Sequence, residues 1–217
     1  MDRRRIVCFG DSLTWGYDPV TGLRIPEESR WTGVLQRLLG DSWQVIEEGQ
    51  NSRTIATDDP SEGEKNGLRY VIPCLESQSP LDLMIVMLGG NDLKRKFGYA
   101  SIDIAGEMQI LLEKIQSYNR FRMGDKMKVL LMAPPVIGEE VSDPWLEDCF
   151  DFPRARKISR ELAGWYVQLA EMYGCLYLDA AQVVRASTID GVHLEAESHA
   201  RLARAVYQKL KDEKIVL

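Results

Sequence analysis

Five short apolar segments alternate with amphipathic segments along this chain, and that alternation constrains the fold more than any other feature. The apolar segments are Ile6–Phe9, Trp43–Glu47, Leu83–Leu88, Met127–Ala133 and Cys175–Leu178. Several are apolar at nearly every position, which is typical of parallel strands that are covered on both faces. Strands that alternate with helices form βαβ units, so the sequence predicts a parallel sheet in one α/β domain.

Helical periodicity marks the segments between these strands. Four stripes of apolar residues have the spacing of an amphipathic helix. They comprise Trp31, Val34, Leu35, Leu38 and Leu39; Ile104, Met108, Leu111, Leu112 and Ile115; Ile158, Leu162, Trp165, Leu169 and Met172; and Leu202, Val206 and Leu210. The segment Gly67–Leu75 is a weaker helix candidate, and Gly49–Lys65 and Pro134–Pro153 are predicted to be long loops.

Length and charge narrow the class of protein. A chain of 217 residues is expected to form a single domain, here 1–217. The net charge of -6 disfavours a nucleic-acid partner, which calls for a basic surface. No apolar stretch approaches the ~20 residues of a membrane span, and the basic N-terminus lacks the apolar region of a signal peptide. We therefore expect a cytoplasmic protein that needs no membrane.

Polar or turn-forming residues follow four of the predicted strands directly. Gly10, Gly49, Gly89 and Pro134 each lie just after the end of one strand. The carboxyl ends of parallel strands meet at one edge of a sheet, so these four turns are expected to lie together. Ligands usually bind at that edge in α/β proteins.

The turn after the first strand contains Ser12, a hydroxyl that could serve as a nucleophile. Nucleophilic acyl chemistry also needs a base, a group that orients the base, and donors for the oxyanion. His193 lies three residues after Asp190, a spacing that lets the carboxylate reach Nδ1 while Nε2 faces a serine. The other histidine, His199, lies inside a predicted helix and is expected to pack there or to face solvent.

Candidate oxyanion donors lie in the turns after two other strands. Asn91 stands in "LGGND" after the third strand, and the backbone N–H groups of Gly49 to Ser52 follow the second. The N–H of Ser12 is a further candidate. Each signal alone is more typical of an ordinary turn, but their shared position at one sheet edge favours a catalytic interpretation.

Three sequence blocks resemble the signature blocks of the GDSL, or SGNH, hydrolases. They are "GDSL" at 10–13, "GGND" at 89–92 and "DGVH" at 190–193, and the resemblance spans nearly the whole chain. The stretches "GDSLTWG", "RWTGVL", "VIEEG" and "PLDLMIVMLGGND" are similar to the bacterial arylesterase and acyltransferase branch. The resemblance implies a flavodoxin-like three-layer α/β/α sandwich, here with a five-stranded parallel sheet.

The resemblance also implies a role for each matched residue. Ser12 would be the nucleophile, His193 the base and Asp190 the group that orients the base. Asn91 would donate its side-chain amide to the oxyanion. Asp11 would hold the turn that carries the nucleophile without reacting itself.

The second oxyanion position departs from the family pattern. The family usually has glycine there, whereas this chain has Ser52 in "GQNSRT". A serine N–H donates equally well if φ is negative, but a positive φ would strain the residue. The similar branch tolerates a small residue other than glycine, so Ser52 is retained as a predicted backbone donor.

The combined interpretation is a serine esterase that cleaves short acyl or aryl esters through an acyl-enzyme, with transfer to alcohols as a second outcome. No cofactor and no metal are predicted. Trp15 either lines the pocket and binds substrate, or lies at the edge of the pocket and holds the Ser12 turn in place. Trp145 and Phe150 belong to a substrate lid or a subunit contact, and the resemblance implies a homo-oligomer.

Three alternatives remain at this point. A carbohydrate O-deacetylase would use the same fold and triad, although the aromatic residues Trp15, Trp145, Phe150 and Phe152 disfavour a polysaccharide. A non-catalytic flavodoxin-like module would need an acidic cluster around Asp11 and a lysine after the last strand, and no lysine lies between Cys175 and Lys209. A metal site at Asp190, His193 and His199 has too few ligands at the expected edge.

Overall fold

The five apolar segments form the strands of one parallel sheet, as predicted. The computed structural model describes residues 3–139, 141 and 143–216. Its strands are β1 (Arg4–Gly10), β2 (Trp43–Gly49), β3 (Leu83–Met87), β4 (Lys128–Ala133) and β5 (Leu176–Asp179). They are arranged in the order β2-β1-β3-β4-β5, and every neighbouring pair is parallel.

Helices connect the strands, and each predicted helix is present. They are α1 (Ser12–Trp15), α2 (Trp31–Leu39), α3 (Gly67–Gln78), α4 (Ser101–Met123), α5 (Pro144–Phe150), α6 (Phe152–Tyr173) and α7 (Ala196–Asp212). None of these helices is both long enough and apolar enough to cross a membrane.

Two of the helices were not predicted. The four-residue helix α1 is too short to show periodicity. Helix α5 lies within the segment Pro134–Pro153, which the sequence analysis assigns to a loop. Its start does carry a local signal, because Pro144 occupies the first turn and the Asp143 carboxylate accepts hydrogen bonds from the N–H groups of Trp145 and Leu146.

The sheet is covered on both faces, which confirms the predicted three-layer α/β/α fold. Val7 and Phe9 of β1 belong to the core shared with α3, α4 and α6. Ile6 and Cys8 point to the other face, into the core shared with α2 and α7. This alternation along a single strand explains why the strand sequences are apolar at consecutive positions. The domain limits 1–217 stay a prediction.

Two residues of the predicted helical stripes are not in the core. Leu38 is 38% exposed and Met172 is 67% exposed. Both lie in the last turn of their helices, α2 and α6. The end of the apolar stripe therefore extends beyond the part of each helix that packs on the sheet.

A cluster of charges ties the segment before α2 to strand β2. Arg30 Nε and Nη2 lie 2.5 and 2.6 Å from the two carboxylate oxygens of Glu47. Arg24 Nη2 lies 3.1 Å from the same carboxylate, and Thr32 donates its hydroxyl to it. Burial alone would raise the pKa of Glu47, but the hydrogen bonds from Arg30 and Thr32 lower it below its ordinary value. The cluster anchors the chain between α1 and α2.

His199 is completely buried where α7 packs on α2. Its Nδ1 accepts a hydrogen bond from the N–H of Trp31 at 3.3 Å, while Nε2 has no hydrogen-bond partner in the described part of the chain. Burial, with the positive charges of His193 and Arg30 nearby, lowers the pKa of His199 to about 4. Of the two expectations for this residue, packing is confirmed.

The buried His199 predicts a specific loss of stability in acid. The ordinary pKa of a histidine is 6.5, whereas that of His199 in the fold is about 4, so the unfolded chain binds an extra proton between these pH values. The free energy of unfolding should therefore fall by up to about 3 kcal/mol between pH 6.5 and pH 4 through this group. Urea denaturation of the wild type and of His199→Gln gives the free energy of unfolding at each pH in this range. The contribution of His199 is the difference between the slopes of the two plots of that free energy against pH. Equal slopes would contradict the prediction.

Candidate active site

The turn after β1 is tight, and two glycines allow it. A Cβ on Gly10 would lie 2.9 Å from the carbonyl oxygen of Met87, and one on Gly49 would lie 2.2 Å from the N atom of Trp15. Because neither glycine carries a side chain, the backbone at the carboxyl ends of β1, β2 and β3 can pack directly against its neighbours and against α1. This packing holds Ser12 at the first position of α1, where it is 6% exposed.

Asp11 caps the short helix that begins with Ser12. Its Oδ1 accepts a hydrogen bond from the N–H of Leu13 at 2.9 Å. Burial raises the pKa of Asp11 to about 6, against the opposing influence of that hydrogen bond and of His193. The residue is thus mostly ionised at neutral pH and becomes protonated in mild acid.

Ser12, His193 and Asp190 form a continuous hydrogen-bonded chain. Ser12 Oγ lies 2.9 Å from His193 Nε2, and His193 Nδ1 lies 2.6 Å from Asp190 Oδ2. The other carboxylate oxygen of Asp190 accepts the N–H groups of Val192 and His193, each at 2.9 Å. The carboxylate is therefore oriented by its own turn before it contacts the ring. Burial would raise the pKa of Asp190, but its bonds to His193 keep it below the ordinary value.

Tyr17 covers the imidazole of His193, and the sequence analysis does not identify it. The two ring centroids are 4.2 Å apart, and the ring planes are inclined by 35°. Tyr17 follows the left-handed Gly16 that ends α1, so the fold returns its ring over the site. Only the position of Tyr17 five residues after Ser12 could have pointed to it.

Asn91 lies in a single 3₁₀ turn (Asn91–Leu93) after β3. Its Nδ2 donates to the carbonyl oxygen of Arg53 at 3.2 Å and lies 3.5 Å from Asp11 Oδ2. The side chain is buried and borders the same cavity as Ser12. The structure thus brings the predicted amide donor to the predicted nucleophile.

Arg53 is a buried cation beside these residues. Its Nη1 donates to the carbonyl oxygen of Gly10 at 2.8 Å and also to that of Glu48, which joins the ends of β1 and β2. The guanidinium lies over the ring of Phe9, 4.4 Å from its centroid. Burial lowers the pKa of Arg53 relative to its ordinary value. No sequence motif singled this residue out.

Ser52 has a φ of 65°. The sequence left open whether φ at Ser52 is negative or positive. The positive value is the strained case, because a residue other than glycine is disfavoured in the left-handed conformation. Its backbone N–H donates to no oxygen of the described residues, and the residue lines the same cavity as Ser12 and Asn91.

Trp15 is not among the residues that line the cavity, and its role in substrate binding stays a prediction. Its ring lies 5.3 Å from the guanidinium carbon of Arg24, and its carbonyl oxygen accepts Arg24 Nε at 2.7 Å. The structure therefore favours the rim interpretation. Trp15 ends the single helical turn of α1, and both its ring and its carbonyl oxygen contact Arg24.

A cavity of about 500 Å³ is bordered by Ser12 and by two kinds of side chain. The apolar lining residues are Pro134, Pro135, Ile137, Trp145, Leu146, Phe150, Ile189 and Val192. Charged lining residues include Glu62, Lys65 and Lys94. Phe150 is buried, whereas Trp145 is 67% exposed. His199 and Phe152 are not among the described residues that line the cavity.

Comparison with known proteins identifies the family. The family model of the GDSL-like lipase/acylhydrolases matches residues 8–201. The chain belongs to this family. A comparison with curated protein sequences found no match.

Solved structures of similar sequence support the same assignment. Est24, a carbohydrate acetylesterase from Sinorhizobium meliloti, is 38% identical, with a TM-score of 0.90 over 97% of this chain and 99% of that one. The native M. smegmatis aryl esterase is 35% identical, with a TM-score of 0.89 over 96% and 99% of the two chains. Membership of this hydrolase family confirms the predicted enzyme class, a carboxylic ester hydrolase, and disfavours the non-catalytic module.

The Tyr17 ring predicts an effect on this GDSL-family hydrolase. An aromatic pair contributes about 1 kcal/mol beyond burial, so loss of the ring should lower kcat/KM for p-nitrophenyl acetate by about 3- to 10-fold. Tyr17→Leu tests this, and Tyr17→Phe, which retains the ring, should lose less. Equal losses in both variants would show that the hydroxyl matters and the ring contact does not.

Proposed function

We propose that the protein is a serine esterase that cleaves small carboxylic esters through an acyl-enzyme on Ser12. The observation that carries this proposal is the chain of short contacts from Ser12 Oγ through His193 to Asp190, at 2.9 and 2.6 Å. This chain lies at the floor of a cavity of about 500 Å³, which suits a small ester. A hydroxyl, a base and an oriented carboxylate are the parts that acyl transfer requires.

Acylation begins when His193 Nε2 takes the proton of Ser12 Oγ and the oxygen attacks the ester carbonyl carbon. The C–O bond of the leaving alcohol then breaks, and the same Nε2 returns the proton to that alcohol oxygen. Asp190 holds the ring in the required tautomer and stabilises its positive charge between these two transfers. The inclined Tyr17 ring keeps the imidazole in its plane.

The negative charge that develops on the carbonyl oxygen is held by three donors. These are the backbone N–H groups of Ser12 and Ser52 and the side-chain amide of Asn91. Neither backbone N–H has a partner among the described residues, and the Asn91–Asp11 contact of 3.5 Å is at the limit of a hydrogen bond. Loss of one such donor typically costs about 3 kcal/mol of transition-state stabilisation.

Deacylation repeats the sequence with a new nucleophile. A water molecule, deprotonated by His193, releases the carboxylic acid and restores the Ser12 hydroxyl. An alcohol that occupies the same position yields a new ester, which is acyl transfer. Apolar lining residues such as Ile137, Phe150 and Val192 favour alcohol over water in the cavity.

Replacement of the nucleophile tests the proposal. Ser12→Ala should abolish both hydrolysis of p-nitrophenyl acetate and covalent labelling by a fluorophosphonate, because among the described residues His193 Nε2 is hydrogen-bonded to the hydroxyl of Ser12 alone. Ser117→Ala, an exposed serine on α4, is the matched control and should label and hydrolyse as the wild type does. Full activity in Ser12→Ala would refute the assignment.

Replacement of the orienting carboxylate is a second test. In Asp190→Asn, the amide oxygen can still accept the N–H groups of Val192 and His193, so the turn should persist. Its NH₂ cannot accept from Nδ1, and the ring would lose its required tautomer. We expect kcat to fall by about 10³- to 10⁴-fold with little change in thermal unfolding; a fall of less than tenfold would remove Asp190 from the mechanism.

Deacetylation of a carbohydrate is the second candidate, and the charged residues that line the cavity favour it. Glu62, Lys65 and Lys94 can hydrogen-bond to sugar hydroxyls. Of the aromatic residues cited against this activity, Trp15 and Phe152 do not line the cavity, which weakens that argument. Est24, 38% identical, is a carbohydrate acetylesterase. The ratio of kcat/KM for phenyl acetate to that for an acetylated monosaccharide distinguishes the two substrates.

We further propose that the protein forms a homo-oligomer through the rim of the cavity. Four large apolar side chains are exposed, Val20 and Leu23 at 68 and 69%, Trp145 at 67% and Ile189 at 48%, and two of them, Trp145 and Ile189, line the cavity. A patch of this kind is typical of a protein contact. The cytoplasmic location and the lack of metal, nucleic-acid and membrane partners stay predictions.

A further inference from the structure

A second cavity, with a volume of about 490 Å³, lies next to the one that Ser12 borders. Its lining comes from three parts of the chain, namely the segment after β4, the first half of α6 and the segment 181–188. Ile137 is the only described residue that lines both cavities. Small-molecule sites in proteins have volumes of about 300–1,000 Å³. The second cavity therefore has room for a ligand of its own.

Three arginines line this second cavity. Arg156 and Arg160 belong to α6, and Arg185 belongs to the segment after β5. Glu139 is the only acidic residue among the described residues of the lining. The chain as a whole has a net charge of -6, so the cavity is a local concentration of positive charge on an acidic protein. A cavity lined by charges of one sign attracts ligands of the opposite sign.

Most of the hydrogen-bond donors of these arginines are not engaged by the protein. Arg156 Nη2 donates to Glu139 Oε1 at 2.8 Å, but the Glu139 side chain is 85% exposed, and ion pairs of that kind are weak. The side chains of Arg160 and Arg185 form no hydrogen bond and no ion pair with any residue that the structure describes. A guanidinium carries five N–H donors, so all three arginines have donors available to a ligand.

The spacing of two of these arginines is unfavourable for α6 itself. Arg156 and Arg160 are four positions apart and are therefore neighbours on the helix surface, where like charges destabilise the helix. Departures from local preference of this kind are expected at functional sites. A bound anion would offset the repulsion, because guanidinium groups bind carboxylate and phosphate oxygens through pairs of parallel hydrogen bonds.

One segment of the chain borders both cavities. Arg185 and Ser187 line the second cavity, whereas Asp190 and His193 line the first. The N–H of Ser187 donates to the carbonyl oxygen of His193 at 2.7 Å, and the carbonyl oxygen of Ser187 accepts the N–H of Gly191 at 2.8 Å. A ligand that binds Arg185 is thus connected through short backbone hydrogen bonds to the segment that carries Asp190 and His193.

We propose that the second cavity binds a small anion with two or more carboxylate or phosphate groups, held by Arg156, Arg160 and Arg185. The three guanidinium groups come from two separate parts of the chain, so a ligand with several negative groups can pair with more of them than a monovalent ion can. The inference does not depend on the esterase proposal, because none of the three arginines lines the cavity at Ser12.

Two probes test the inference, citrate for carboxylates and inorganic pyrophosphate for phosphates. Each is titrated into the protein in a calorimeter and added in thermal unfolding, with the ionic strength held constant by sodium chloride. At least one probe should bind saturably, with one site per chain, and should raise Tm, because a ligand that binds only the folded state stabilises it. The probe with the higher affinity tells whether the natural anion carries carboxylate or phosphate groups.

Variants then locate the site. Arg160→Gln/Arg185→Gln should weaken binding of the preferred probe by at least about tenfold, because charge-assisted hydrogen bonds are lost, and each single variant should lose less. Glutamine retains helix propensity at position 160, and Tm without the probe checks the fold. Arg120→Gln/Arg204→Gln is the matched control. It removes the same charge from exposed positions outside the lining and should bind as the wild type does.

Anion binding in the catalytic cavity is the competing explanation, because Lys65 and Lys94 line that cavity. Lys65→Gln should therefore bind the probe with wild-type affinity. Loss of binding in Lys65→Gln, with retention in Arg160→Gln/Arg185→Gln, would assign the anion to the catalytic cavity and overturn the inference. Equal losses in the two double arginine variants would also overturn it, as would the absence of stabilisation by either probe beyond that of sodium chloride.

Discussion

The buried guanidinium of Arg53 joins the parts of the molecule on which the site depends. The guanidinium donates to backbone carbonyl oxygens at the ends of β1 and β2 and lies over the ring of Phe9. The backbone carbonyl oxygen of Arg53 accepts a hydrogen bond from the side-chain amide of Asn91, which follows β3. Three strand ends are therefore held at one position, and Ser52 is its neighbour in the chain. The hydrogen bonds that a buried guanidinium donates to several acceptors have fixed directions, so they define the geometry of the turn.

The carboxylates near Ser12 differ in environment, and the difference suits different tasks. Asp190 accepts two backbone N–H groups and the imidazole, which keeps its pKa low. Asp11 has a single backbone donor and is more deeply buried, which raises its pKa to about 6. The Asp190 charge that stabilises a protonated His193 therefore persists to lower pH than the Asp11 charge next to the nucleophile, which is lost in mild acid.

Much of the fold and of the candidate site follows from local sequence. The strands are visible because residues buried on both faces must be apolar, and Ser12, Asn91, Asp190 and His193 stand in recognisable turns after them. The rest depends on contacts between distant segments. Tyr17 and Arg53 carry no motif, Trp15 has a suggestive position but is not among the residues that line the cavity, and helix α5 lies in a stretch predicted to be a loop.

Sequence alone determined the parallel sheet and the sheet edge where the polar turns meet, because hydrophobic periodicity and strand-end turns are local properties. Only the tertiary structure decided how those turns complete one another. Ser52 illustrates the division. Its residue type was known, but its positive φ depends on the fold of a seventeen-residue loop (49–65), whose Glu62 forms an ion pair with Lys94. Backbone conformation in such a loop is set by its long-range partners, which no local pattern records.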